Sequence, residues 1–282
     1  MAATLLATAT AAYLVGTVRV RRSGGHWSRR STALYLSVGL GSFATVSFGV
    51  LGVHSADLRW AFTTRIALLL VVVPAAIAAG RPLALLREAS GERGRRRLDR
   101  VLASRIVRLF GNAMFATLFS AAVFTLFLTP LAGTARTSPA IEDALTVVVP
   151  LVGLLIVLPI AEDAAARSSL FITVEFLLAF VELIIDAIPG IVLRITPAVL
   201  DHAPRVAALA PWWPSPLRDQ QLAGDLLWFI AEVADVPILI VLGIRWARSD
   251  RREARGYDEL SDEQLAELTR QHLRGPRTPE DD

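Results

Sequence analysis

Cysteine is absent from the 282 residues, lysine is absent too, and there are only two methionines and four histidines. Without thiols there are no disulfides, no thiolate metal sites and no thiol nucleophile. With Met1 and Met114 as the only thioethers, a sulfur-rich copper site within the chain is excluded as well. Every one of the 29 basic residues is therefore arginine, set against 26 acids for a net charge of +3. Also missing are a phosphate-cradling glycine loop, an HExxH or GxSxG motif and any repeated metal-ligand spacing, so hydrolase, kinase and nucleotide-driven pump readings have no support. His26, His54, His202 and His272 are scattered and never paired four apart; His54 and His202 share one expected face of the membrane, where two histidines make half a metal site.

What is present is apolar. Hydrophobic residues make up 54% of the chain, charged ones only 20%, and the mean hydropathy is +0.50, which points to a membrane protein. A spanning helix needs about 20 mainly apolar residues. Such runs lie near Ala2–Val18, Thr32–Val53, Phe62–Ala79, Leu109–Pro130, Leu145–Ile160, Ser169–Leu193 and Gln221–Ile244. The expected fold is an all-α, polytopic bundle of about seven transmembrane helices over residues 1–249, with residues 250–282 as a charged cytoplasmic tail. The first run has no basic residue before it and Arg19, Arg21 and Arg22 after it, so it reads as an uncleaved anchor rather than a signal peptide.

Arginine sets the orientation, because cytoplasmic loops retain positive charge. The first loop, the third (Arg81 to Arg108) and the segment Arg245–Arg255 are rich in it, and the intervening connections are poor, which gives N-out and C-in. The fifth loop departs from the alternation, with Glu162 and Asp163 against Arg167. The expected location is a bacterial plasma membrane. The basic stretch Gly91–Arg100 reads as contact with anionic lipid headgroups rather than nucleic acid. Pro211-Trp212-Trp213-Pro214-Ser215-Pro216 reads as a turn-rich interfacial segment, and Ser261 with Gln264 as a capping box for a short tail helix.

Acid within hydrocarbon is the informative anomaly, since a carboxylate at mid-bilayer costs about 2.5–3.5 kcal/mol on insertion scales. Glu175, Glu182 and Asp186 fall within about 40° on the sixth run, and Asp225, Glu232 and Asp235 within about 80° on the seventh. Counted from the outer ends, Glu182 and Glu232 are expected to face each other, with Asp186 and Asp225 as a second level. These acids either hold the bundle together through hydrogen bonds or line a proton, cation or metal path. Pro189-Gly190 and Pro237 are expected to kink their helices.

The stretch Asp219–Asp258 resembles the end of the CtaG-type cytochrome c oxidase assembly proteins: a DQ-x-x-x-G start (Asp219, Gln220, Gly224), then Trp228, an internal Glu232, an aliphatic run, and a W-x-R-x-D-x-R-E-A exit from Trp246 to Ala254. Weaker similarity covers Gly80, Pro82 and Arg87, the Leu128-Thr129-Pro130-Leu131 edge, and Gly190. The resemblance implies a seven-helix, non-catalytic membrane protein that helps insert copper into a haem-copper oxidase of the respiratory chain, with an oxidase subunit or a copper chaperone as partner beside membrane lipid. It also implies an H-x-x-x-H pair in the third helix and further histidines in the fifth and sixth. Here Phe62–Pro74 and Ala144–Ile160 contain no histidine, and Asp186 stands about where one is expected. Copper(I) favours sulfur and imidazole over carboxylate, so metal handling would fall to a partner. The alternatives are a small transporter or proton- or cation-conducting protein that uses the carboxylates, and a structural scaffold subunit of a respiratory complex.

Overall fold

A computed structural model of the chain describes residues 1–110, 113–162, 169–201, 203 and 211–258. Among them there is no strand. Helices α1 (Ala2–Arg22), α2 (Arg29–Val53), α3 (Arg59–Ala79) and the Pro139–Leu158 part of α9 (Pro139–Glu162) are long and apolar enough to cross a membrane. Between α3 and α9, the arginine-rich third loop forms three short helices, α4 (Pro82–Ala89), α5 (Glu92–Leu102) and α6 (Arg105–Phe110). Two more follow, α7 (Ala113–Leu126) and α8 (Leu131–Thr137). The end of α7 and α8 meet at 79° as a bent pair, which would make a fifth span. The break falls at Leu128-Thr129-Pro130-Leu131, where proline ends the run of helical hydrogen bonds. The acid-bearing helices are α10 (Ser169–Ile195) and α11 (Pro216–Asp258).

Proline leaves different marks on different helices. In α3 the helix breaks at Val71, three residues before Pro74, because proline offers no N–H to the Leu70 carbonyl. Pro189 sits within α10, and α11 likewise runs on through Pro237 as one 43-residue helix. Pro216 opens α11 after the Trp212-Trp213 turn, as expected of a proline at a first helical position.

Polar contacts gather the start of α1, the end of α2, the starts of α3, α9 and α11, the α7–α8 bend and the stretch after α10 at one end of the bundle. The N-terminal ammonium lies 3.6 Å from Asp143, Arg65 reaches Ser55, and Gln220 reaches Ala198. At the opposite end, the Tyr13 hydroxyl donates to the Gly80 carbonyl at 2.8 Å and accepts from the Trp27 indole at 3.2 Å. Tyr13 also stacks on Tyr35 with ring centroids 3.8 Å apart. A Cβ on Gly80 would come within 2.5 Å of the Tyr35 side chain, which is why glycine precedes Arg81, in left-handed conformation at φ 55°, and Pro82 at the start of α4.

Candidate functional site

The DQ pair at the start of α11 forms the centre of a buried polar clasp. The first N–H groups of any helix have no partner within it, and those of α3 would be stranded away from water. Asp219 answers them across 160 residues of sequence: its carboxylate accepts from the backbone N–H of Arg59 at 3.0 Å and of Trp60 at 2.9 Å. A negative group at a helix N-terminus also meets the positive end of the helix dipole. Gln220 is fully buried beside it. Its side-chain oxygen accepts from the Arg59 guanidinium and from the Leu200 N–H, both at 2.8 Å, and its amide donates to Ala198 at 3.0 Å. Arg59 in turn donates to the Phe127 carbonyl, which the break between α7 and α8 has left without a helical partner.

Two further arginines extend the clasp. Arg136 on α8 donates to Asp201 at 2.8 Å, to Ala203 at 3.1 Å and to the Ala56 carbonyl. Arg65, one and a half turns along α3 from Arg59, donates to Glu142 at 2.6 Å and to the Thr146 hydroxyl at 2.7 Å. Arg59, Arg65 and Arg136 retain only 3%, 4% and 4% of their exposure. Asp57, Asp201 and Asp219 are buried with them. Charges at such depth persist only when paired and hydrogen-bonded, and these acceptors supply that.

Below the clasp α10 and α11 cross at glycine. A Cβ on Gly224 would stand 2.5 Å from the Gly190 carbonyl oxygen, and one on Gly190 would meet the Trp228 side chain at 2.9 Å and its backbone nitrogen at 3.0 Å. Both glycines and Trp228 belong to the sequence pattern noted above, and they act together as one close helix crossing.

Three of the six acids have described side chains. Asp186 is buried in α10. Asp225 forms an ion pair with Arg194 at 2.9 Å, both side chains nearly half exposed, so it is tied to the end of α10 rather than to Asp186. Glu232 lies on the exposed side of α11, away from the interior position expected for it. The side chains of Glu175, Glu182 and Asp235 lie outside the described residues, as do His202 and the expected tail helix at Ser261 and Gln264. His54 stands against Trp212 and Trp213, edge-on, with ring centroids 5.3 and 6.1 Å away. Among the described residues no three His, Cys, Asp or Glu side chains group as metal ligands. One imidazole boxed by indoles, in a chain without thiols, does not fit the sulfur and imidazole set that copper(I) prefers.

Arginine is what sequence reasoning passed over. Arg65, within the third apolar run, serves Glu142. Arg59 and Arg136 counted merely as sparse charge in poor connections. The available signal was arginine inside or at the edge of an apolar run, where the insertion cost demands a partner.

The clasp and the glycine crossing both lie within the reach of one family model. That of the cytochrome c oxidase caa3 assembly factor (Caa3_CtaG) matches residues 11–249. The chain belongs to this family. It is also 35% identical over 57 residues to an uncharacterized protein of Mycobacterium bovis and, equally, to one of Mycobacterium tuberculosis. Each match covers 20% of this chain and 9% of the relative, so the chain spans a small part of the length of these relatives. No solved structure matches it at a significant level. Family membership makes the chain a membrane protein of an oxidase assembly-factor family.

Proposed function

We propose that the chain is a non-catalytic plasma-membrane protein that matures a haem-copper oxidase through direct contact with an oxidase subunit, leaving copper to a partner. The family match over residues 11–249 carries the reading. The donor set supports the second half: the sequence has no cysteine and four scattered histidines, and among the described residues no three His, Cys, Asp or Glu side chains group as metal ligands. The membrane domain is residues 1–249, the tail 250–282, and seven helices (α1, α2, α3, α7, α9, α10 and α11) cross with the N-terminus outside. In favour of that count, these helices run alternately toward and away from the clasp, and most exposed arginines, Arg194 and Arg218 apart, collect at the opposite end. A cation path along the acids draws less support, because Asp225 is held by Arg194.

The test is deletion of the gene, with oxidase activity and the haem-copper spectrum read with and without added copper. Loss of assembled oxidase that copper does not restore is the expected result. Restoration by copper would move the role to copper delivery, and an unchanged oxidase would refute the reading. A cytoplasm-active reporter fused after Arg255 should give signal, and the same reporter after Pro214 none.

A further inference from the structure

Helix α11 has two sides. Ala223, Leu227, Ile230 and Ala231 are buried against the bundle, whereas Trp228, Phe229, Glu232 and Val233 are exposed. At about 100° per residue, those four fall within about 140° of one another. An apolar stripe is what lipid accepts; a carboxylate in its centre is not. Glu232 stands midway along the apolar run Gln221–Ile244, about 17 Å from either end at 1.5 Å per residue, too deep for so short a side chain to reach the headgroups. Asp225 lies in the same sector two turns earlier and is answered from within the chain by Arg194 at 2.9 Å. Among the described residues no donor answers Glu232.

We propose that this face of α11, centred on Glu232, seats a transmembrane helix of the client subunit that presents a basic side chain at mid-membrane. Charge complementarity selects the occupant: a buried carboxylate is stabilised by a cationic hydrogen-bond donor. A second copy of the chain, paired about a two-fold axis through this face, would set carboxylate against carboxylate. Trp228 and Phe229 supply large rigid contact area to either side of the charged group, the composition of a well-packed helix interface. The inference rests on Gln221–Ile244 crossing the membrane and, for the identity of the client, on the assembly role proposed above.

The experiment uses the full chain in its native membrane, with photoreactive p-benzoylphenylalanine in place of Phe229 and, as a control, of Leu151 on the exposed side of α9. The expected result is a protein adduct from position 229 and none from 151, with the adduct peptide drawn from a transmembrane helix containing Arg, Lys or His. Glu232→Leu should lower adduct per molecule of protein at least tenfold, while Glu232→Asp retains most of it. Adducts with lipid alone, with a second copy of this chain, or at a yield unaffected by Glu232→Leu would overturn the proposal. An adduct with a basic helix from outside the oxidase would keep the docking face and overturn the assembly reading; oxidase loss on deletion without any adduct would do the reverse.

Discussion

At the clasp end of the bundle three arginines are nearly withdrawn from solvent, and each guanidinium meets acceptors fixed by neighbouring helices: Gln220 and Phe127 for Arg59, Asp201 and Ala203 for Arg136, Glu142 and Thr146 for Arg65. At the other end Arg93, Arg95, Arg97 and Arg100 stand exposed on α5, a helix with no buried residue, and the Arg96–Glu92 pair is almost wholly in solvent. One residue type thus does two kinds of work. Exposed pairs are screened and are worth between nothing and about 1 kcal/mol, so α5 is described by its charge and not by its contacts. Buried pairs are sensitive to the loss of either partner, because removal strands the other charge.

The sharpest way to break this comparison is Arg136→Leu, which leaves Asp201 buried without its guanidinium and should destabilise the protein by about 3–5 kcal/mol, read by unfolding in detergent micelles. An effect no larger than that of a surface substitution would show that the clasp contributes nothing. Next comes Gly224→Val. Added bulk at the α10–α11 crossing, 2.5 Å from the Gly190 carbonyl, should cost about 1–3 kcal/mol and be visible as a lower melting temperature. Asp219→Ala uncaps α3 and should cost about 0.5–2 kcal/mol, with faster amide exchange at Arg59 and Trp60 than elsewhere in α3 as its local signature. The smallest effect belongs to the far end: Arg97→Ala should stay within about 0.5 kcal/mol of the parent in the same unfolding assay. A larger loss there would mean that α5 is held by contacts rather than by charge.

Much of the fold was legible because a hydrocarbon solvent imposes one strong rule, about 20 apolar residues per crossing. The seven runs coincide largely with helices, and among the described residues four helices are long and apolar enough to cross, or five with the α7–α8 pair. The bend at Leu128–Leu131 and the glycines 80, 190 and 224 carried their meaning in residue type alone, since only glycine tolerates such close backbone contact. Partner choice was not legible. Helical angles place Asp225 and Glu232 on one side of α11, yet they cannot say that Arg194 reaches the first or that the second points outward, because that depends on which helix is adjacent. Arg59 and Asp219 lie 160 positions apart, beyond any periodicity. The third loop also concealed three helices, because the high polarity of α5 hides its helical period from a search for apolar runs.

The span of that Arg59–Asp219 contact sets an order of events during synthesis. While the ribosome is still making the middle of the chain, the first amides of α3 have no acceptor until Asp219 emerges about 160 residues later, and the Arg59 guanidinium has only the Phe127 carbonyl until Gln220 follows. At some 5–20 residues per second, that wait lasts on the order of ten to thirty seconds. A chain interrupted in between carries an under-satisfied arginine, so completeness is written into the molecule as the satisfaction of one charge, and a surveillance protease that recognises such cations would distinguish finished copies from truncated ones.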